Sequence, residues 1–377
     1  MMVFTTFSAT VSVKADFDDA EINWVTLYSK TKLDTIKTSP KVGALAVEDT
    51  NTKVVKAYYV KGHKKNWYSQ KKTTDKILMG KYVLVVIMEA LNTSYFAEKP
   101  SLTIECEEDY YYSSKCHKIN DSKYAFAIKI NANEITKSGI TYELKGKSLA
   151  VLDVNEKIKN AKIPERVKIG PKKYTVTKIC NVSFSGAEKF KSINIPKSVK
   201  SIEPWSFYYC KKLKNINVDK KNKYYTSVDG VLFNKNKTVL IRYPAGKTAK
   251  SYTVPKGVKK IAIFAFVGNE YLKNVTIPKS VKTIDSEAFG ADYGENSRDS
   301  NYTLKTITFE KGSKLKSFDL SYIGYGDYDD GFYVGKRFTH TTINCFDKRI
   351  VKMVKKKNKV IQKNYGYKNC FKIKYKK

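Results

Sequence analysis

Three positions in the second half of the chain recur at two fixed intervals, and no other feature limits the possible folds so tightly. Pro255 to Pro278, Ile261 to Ile284 and Phe266 to Phe289 are each 23 residues apart; Pro196 to Pro255, Ile202 to Ile261 and Phe207 to Phe266 are each 59 apart. The longer interval is one 23-residue unit plus an insertion of 36. Four segments carry the phrase: Phe190–Ile202 with Phe207; Leu213–Val218; Val254–Ile261 with Phe266 and Leu272–Ile277; and Pro278–Ile284 with Phe289 and Leu304–Phe309. A period of this length marks stacked units, because one such unit cannot bury its apolar side alone.

The spacing within a unit predicts its parts. In Leu-x-x-Ile-x-Ile the apolar residues point inward from a short strand and those flanking the central one point out. Proline then ends the ladder, having no N–H to donate. Val-Lys-x-Ile gives a second extended piece, and Asp285–Phe289 can form a short helical turn that drives Phe289 into the core. A stacked surface repeats as its core does. The outward strand positions Ser192/Asn194, Asn215/Asn217, Asn274/Thr276 and Thr306/Thr308 therefore make a candidate binding face, polar and small. The turns place Lys197 and Lys200, Lys256 and Lys259, and Lys279 and Lys282 in a candidate basic edge. Neighbouring turns about 5 Å apart lie inside the roughly 8 Å screening length, so such a column repels itself and gains from an anionic partner. Lysines splayed into solvent are the plain alternative.

These residues resemble the BspA-type leucine-rich repeat family of bacterial surface and secreted proteins. Ile195–Val218 matches its recurrent phrase well, with Cys210 at the cysteine position, although Trp205 replaces a smaller residue. The insertion, about 219–252, reads as a hairpin, with apolar runs at Tyr224–Phe233 and Thr238–Pro244 joined by the polar Asn234–Lys237. Tyr142–Ile179 resembles the family's leading cap, and polar insertions at Ala291–Asn301 and Ser321–Gly335 interrupt the last repeats. The fold class expected is mainly β: residues 134–346 a leucine-rich-repeat solenoid with short helical turns, and residues 347–377 a basic C-terminal cap or tail.

The first half reads differently. Strand candidates Val42–Val47, Val54–Val60, Tyr82–Met88, Leu102–Cys106 and Tyr124–Ile130 are separated by polar turns, a spacing that suggests a β-sandwich. Pro40, Gly43, Trp67, Gly80–Tyr82 and Phe96 resemble a small immunoglobulin-like domain over residues 16–133. Met1–Val13, followed by Lys14-Ala15, resembles the back half of a secretory signal, a leader remnant over residues 1–15. The apolar run Tyr82–Met88 falls far short of the roughly 20 residues a membrane span needs, so no transmembrane segment is expected.

Charge and chemistry narrow the function classes. The net charge is +35, yet only five of the 71 basic residues are arginine: Arg166, Arg242, Arg298, Arg337 and Arg349. Arginine is the residue that clamps phosphate and reads guanine in two-point geometry, so no nucleic-acid partner is expected. Lysine with Tyr, Ile and Asn is also what A/T-rich codons give, which leaves a compositional explanation beside a selective one. The three histidines are His63, His117 and His340, and Cys116 and His117, as strand neighbours, point to opposite faces. Ala245–Thr248 lacks the leading glycine of a phosphate loop, Ile241 standing in its place. Asp327, Asp329, Asp330 and Gly331 have neither EF-hand spacing nor a closing glutamate, and a solvated loop is the simpler reading. No catalytic residue, cofactor or metal is expected. In an exported chain, Cys106 with Cys116 and Cys345 with Cys370 are candidate disulfides, and Cys210 is a buried free thiol. Candidate aromatic anchors are Tyr208, Tyr209, Tyr224, Tyr225, Tyr322, Tyr325 and Tyr328.

The resemblance implies an exported, surface-associated protein, not an enzyme, that binds or adheres to host or cell-surface components. Its partner would be a protein, or a glycan or other anionic polymer. The alternative is a wall-associated structural spacer held to anionic polymer by its charge.

Overall fold

Short strands, each closed by a turn, leave the chain free to climb one rung per repeat. A computed structural model of the protein describes residues 21–29, 45–46, 52–62, 67, 70, 72, 79–91, 95–106, 109–185, 187–289, 304–318, 341–365 and 371–376. The expected leader remnant, and the polar insertions Ala291–Asn301 and Ser321–Gly335 with their Asp and Tyr candidates, lie outside these residues. Among the described residues the chain is mainly β, with one α-helix, Lys348–Tyr365. It divides into two units, Met1–Ile135 with Ile169–Lys172, and Thr136–Lys168 with Lys173–Lys377.

In the first unit one sheet holds Glu21–Ser29, Leu45–Ala46, Tyr95–Cys106 and Asp109–Tyr112. A second holds Thr52–Lys61, Gly80–Ala90, Lys115–Asn120 and Lys123–Ala132. Leu27, Phe96, Leu102 and Ile104 from the first sheet share a core with Tyr59, Leu84, Val86, Met88 and Phe126 from the second. Strand Gly80–Ala90 is buried on both faces, since Val83 and Val85 pack with Tyr58, Val60, Trp67 and Ala127 on the other side. Two-sided burial is why its sequence is a near-continuous apolar run rather than an alternation. Glu21–Ser29 was not among the strand candidates; it runs parallel to Tyr95–Cys106.

The second unit is built on the repeat. Ser192–Ile195 lies parallel to Asn215–Val218, with Ser192 opposite Asn215 and Ile193 opposite Ile216. After the insertion, Ser251–Thr253, Asn274–Ile277, Thr306–Phe309, Thr341–Cys345 and Phe371–Tyr375 form a five-stranded parallel sheet. The Val-Lys-x-Ile pieces pair likewise, Lys260–Ile261 with Thr283–Ile284 and the latter with Ser317–Phe318. Inward residues Val275, Ile307, Ile343, Ile261, Ile284 and Val281 are at most 1% exposed and belong to one core.

Aromatic rings stack from unit to unit on both sides of the insertion, with Tyr243, Phe266 and Phe289 in this core. Phe184 stacks on Phe207 at 5.6 Å, Tyr243 on Phe266 at 5.5 Å, and Phe266 on Phe289 at 4.8 Å with rings 3° from parallel. Tyr243 lies 23 residues before Phe266, so the insertion carries its own stacking aromatic and the 23-residue beat resumes there. Arg242, 4% exposed, donates to the carbonyl oxygens of Phe264 at 2.6 Å and Phe207 at 2.8 Å, tying the repeats on either side of the insertion. Asn269 does the same for one turn, donating to the carbonyls of Pro244, Ala245 and Lys247 while its Oδ1 accepts from the amides of Tyr271 and Leu272.

Two expectations are corrected. The insertion is not a single hairpin but three antiparallel strands, Tyr225–Val228, Val231–Asn234 and Val239–Arg242. The extra reversal is at Asp229-Gly230, inside what reads as one apolar run; both residues have positive φ (48° and 75°), the pair of angles a two-residue I′ hairpin turn requires. The turns before the stacking aromatics are not helical. Ala265 N–H donates to the Ala262 carbonyl and Ala288 N–H to that of Asp285, while Phe264 and Glu287 between them take positive φ (59° and 55°). A left-handed residue at the third turn position reverses the chain and stops helical propagation.

The C-terminal segment is a helix followed by a strand. The Asp347 carboxylate accepts from the amide of Arg349 at 2.8 Å, capping the orphan donors of the first turn. Ile350 and Val354, one turn apart, enter the repeat core. Asn358 donates to the Phe371 carbonyl at 2.9 Å and accepts from the Phe371 amide at 3.0 Å, fixing the last strand beside Thr341–Cys345.

Candidate binding face

The polar face arises from alternation in strands held in register. In the five-stranded sheet one outward row is Ser251, Asn274, Thr306, Thr342 and Lys372, and the next is Thr253, Thr276, Thr308, Asn344 and Lys374. In the three-stranded sheet formed by Asn160–Lys162, Ser192–Ile195 and Asn215–Val218, the rows are Asn160, Ser192, Asn215 and Lys162, Asn194, Asn217. Neighbours in a row bond to one another: Asn217 Nδ2 to Asn194 Oδ1 at 3.1 Å, Ser192 Oγ to Asn160 Oδ1 at 2.7 Å, Asn274 Nδ2 to Ser251 Oγ at 3.2 Å and Asn344 Nδ2 to Thr308 Oγ1 at 3.1 Å. Part of the hydrogen-bonding capacity of the face thus orders the face itself.

The eight predicted face residues do not form one surface. Ser192, Asn194, Asn215 and Asn217 lie in the three-stranded sheet, and Asn274, Thr276, Thr306 and Thr308 in the five-stranded one. The insertion occupies the edge between them. The Gly230 carbonyl accepts from the Ile216 amide and the Ser227 hydroxyl from the Val218 amide, both at 3.0 Å, so the edge donors of Asn215–Val218 are spent on the insertion. A Cβ at Gly230 would lie 2.7 Å from Asn215 Oδ1 and 3.1 Å from Asn215 Cα, which is why a glycine stands at this contact.

The basic edge divides the same way. Lys197 and Lys200 precede the insertion, and Lys197 pairs with Glu165 at 3.3 Å. Lys256, Lys259, Lys279 and Lys282 follow it, all exposed. Lys259, Lys282 and Lys316 stack through amide-to-carbonyl bonds of 2.7 and 2.8 Å, and the Lys314 amide donates to the Lys279 carbonyl at 3.1 Å, so Lys314 and Lys316 extend the edge.

A second set of lysines, absent from the predicted edge, also stacks in columns. Lys159, Lys191 and Lys214 stack through amide-to-carbonyl bonds of 2.6 and 2.8 Å, as do Lys250, Lys273 and Lys305 through bonds of 2.8 Å. Each lysine directly precedes a polar-row residue, so the column borders the face. The sequence signal is a lysine one residue before the outward positions of each strand, outside the inward–outward alternation itself.

Tyr225 Oη accepts from the Ile202 amide at 3.0 Å, Tyr208 and Tyr209 pack edge to face at 4.2 Å, and Tyr224 is 46% exposed. The Gly246 amide donates to the Leu213 carbonyl at 2.7 Å and its Cβ position would meet the Lys212 carbonyl carbon at 2.5 Å, so the Ala245–Thr248 turn packs on backbone. Among the described residues no group of His, Cys, Asp and Glu is placed to hold a metal ion. Cys116 and Cys345 are free thiols, the other halves of the candidate disulfides, Cys370 and the Cys106 side chain, lie outside the described residues, and Cys210 is buried and donates to the Phe184 carbonyl at 3.3 Å. No helix among the described residues is long and apolar enough to cross a membrane.

The repeat region matches the BspA type Leucine rich repeat region, in six copies, over residues 155–244 and 243–374. Among solved structures the chain is similar to the pneumococcal vaccine antigen PcpA, at 17% identity over 65% of this chain and 99% of that one, with a TM-score of 0.25. It is similar to a leucine rich cell surface protein from Faecalibacterium prausnitzii, at 14% identity over 65% and 95%, TM-score 0.24. A leucine-rich repeat protein from Bacteroides ovatus gives 18% identity over 56% and 65%, TM-score 0.28. No curated protein sequence matches the chain.

Proposed function

The chain belongs to the BspA-type leucine-rich repeat family, and from that premise we propose that it is an exported, non-enzymatic binding protein whose repeat region works as a solenoid presenting polar rows and lysine columns to a macromolecule at a host or cell surface. The observation that carries this reading is the register of the ladders: identical outward positions stack rung on rung, so weak polar contacts recur along one line. Repeated weak contacts on an extended surface suit an extended partner, by the same arithmetic that makes tethered sites avid. The shared core of the two N-terminal sheets supports a β-sandwich of immunoglobulin-like kind as the element that precedes the solenoid. The family's surface association and the signal-like opening sequence support export.

The second reading, a wall-associated spacer, is favoured by the net charge of +35, which attracts any polyanion without a site. One experiment separates them. The full chain is titrated against immobilised wall polymer, acidic glycans and matrix proteins across a salt series. The binding reading expects one ligand to bind saturably and to be lost when Lys197, Lys200, Lys256, Lys259, Lys279 and Lys282 are changed to Ser. Equal binding of every polyanion, vanishing at moderate salt, overturns it in favour of the spacer.

A further inference from the structure

The column that borders the five-stranded sheet lies beside the longer of the two polar faces. The ten outward positions of that sheet contain Ser, Thr, Asn and, at the last strand, Lys372 and Lys374; none is acidic or apolar. Lys250, Lys273 and Lys305 stand at the start of successive strands, and among the described residues no carboxylate pairs with them. Rungs of a parallel sheet are about 4.8 Å apart, close to the advance per sugar in an extended 1,4-linked pyranose chain. Tyr271 is 37% exposed and its ring centroid lies 5.4 Å from Lys250 Nζ, an aromatic face at the end of the sheet where the lysine column begins. Lysine offers a rotatable point charge that can meet single carboxylates spaced along a chain. The rows hold no aromatic stacking platform of the kind single-stranded nucleic acid needs, and no apolar anchor of the kind that dominates protein interfaces.

We propose that this sheet face binds a linear carboxylated polysaccharide laid across the strands, with its carboxylates on Lys250, Lys273 and Lys305, its hydroxyls on the Asn274, Thr276, Thr306 and Thr308 rows, and one end on Lys372 and Lys374. The assignment rests on the binding reading above and names its ligand class and its site.

The test titrates the full chain with polymannuronate oligomers long enough to cross five strands, with a neutral mannan oligomer and polyphosphate in parallel. Changing Lys250, Lys273 and Lys305 together to Gln weakens polymannuronate binding about tenfold, the product of three exposed ion pairs. Changing Lys352, Lys355 and Lys356 on the exposed side of the helix to Gln removes the same charge and changes binding less than about twofold. Thr306→Asp, which leaves every lysine in place and sets a carboxylate on the face, gives the same loss as the first triple variant; this holds the test open should that triple variant fold poorly. Equal losses in the two triple variants, or polyphosphate binding as tightly as the uronate, overturns the proposal. A chain that ignores polymannuronate yet binds another ligand saturably at moderate salt overturns this assignment alone. A chain that binds nothing saturably overturns the binding reading with it.

Discussion

At the scale of single residues, the repeat is held by side chains whose positions are dictated by backbone that has no other partner. Gly230 is the sharpest case, because the insertion's turn lies against the Asn215 backbone. Gly230→Ala adds a Cβ both where φ is 75° and where Asn215 blocks it, so we expect a loss of about 2 kcal/mol or more, read as a lowered denaturation midpoint. An unchanged midpoint would mean the turn does not seal the Asn215–Val218 edge. Tyr243 is the opposite case. It fills a position occupied by phenylalanine in the neighbouring rungs, and its hydroxyl is buried without a hydrogen-bond partner among the described residues. Tyr243→Phe removes that stranded group and keeps the ring stack, so the variant should be more stable by about 1 kcal/mol. A less stable variant would show that the hydroxyl is satisfied by water. The repeating Phe was plain from the sequence. That Tyr243 takes its place was not, since a single aromatic 36 residues after Phe207 has no period to identify it until the backbone returns to register.

At the scale of elements, strands this short are stable only in stacks, and among the described residues the last one pairs with a strand on one side alone. Phe371–Tyr375 is held by its ladder to Thr341–Cys345 and by the two bonds from Asn358. Asn358→Ala leaves the Phe371 amide and carbonyl without that partner, at a cost of about 1–3 kcal/mol spent locally. We expect faster amide hydrogen exchange in residues 371–375 with Asn274–Ile277 unaffected; uniform acceleration across the sheet would show that the strand is not a separable unit. The same variant should weaken polymannuronate binding if Lys372 and Lys374 end the site. The strands of the repeat were legible because their alternation and closing prolines act locally. The three-stranded insertion and the left-handed turns at Phe264 and Glu287 were not, because neither Phe nor Glu signals positive φ; it is the stacking of Tyr243 and Phe266 amides on the carbonyls of Ala265 and Ala288 that holds those turns.

At the scale of the whole molecule, both units bury tyrosines, and this sets the alkaline limit of the fold. Burial pushes the phenols of Tyr59, Tyr142 and Tyr243 up to about 12, and that of Tyr252 higher still. The unfolded chain ionises these groups near pH ~10, so the folded state keeps its full stability below that value. Stability then falls as pH rises toward the folded values, by up to about 1.4 kcal/mol per pH unit for each phenol. We expect cooperative unfolding between pH ~10 and 12 in which tyrosinate absorbance and loss of strand signal coincide; phenol ionisation preceding unfolding would mean the rings are reached by water in the native state.

The repeat, its inward residues and the existence of a polar outer row were determined by the sequence alone, since a 23-residue period with alternating strands admits one way to bury its apolar side. The high positive charge was equally fixed by composition. Which residues share a surface was decided only in three dimensions. The 36-residue insertion seals one sheet edge with Gly230 and Ser227, so eight residues that align in sequence become two groups of four. The lysines that precede the polar rows become columns for a converse reason. The amides of Lys191, Lys214, Lys273 and Lys305 are each locked to the carbonyl of the lysine one rung before, and that pairing exists only once the chain has closed a full turn of the stack.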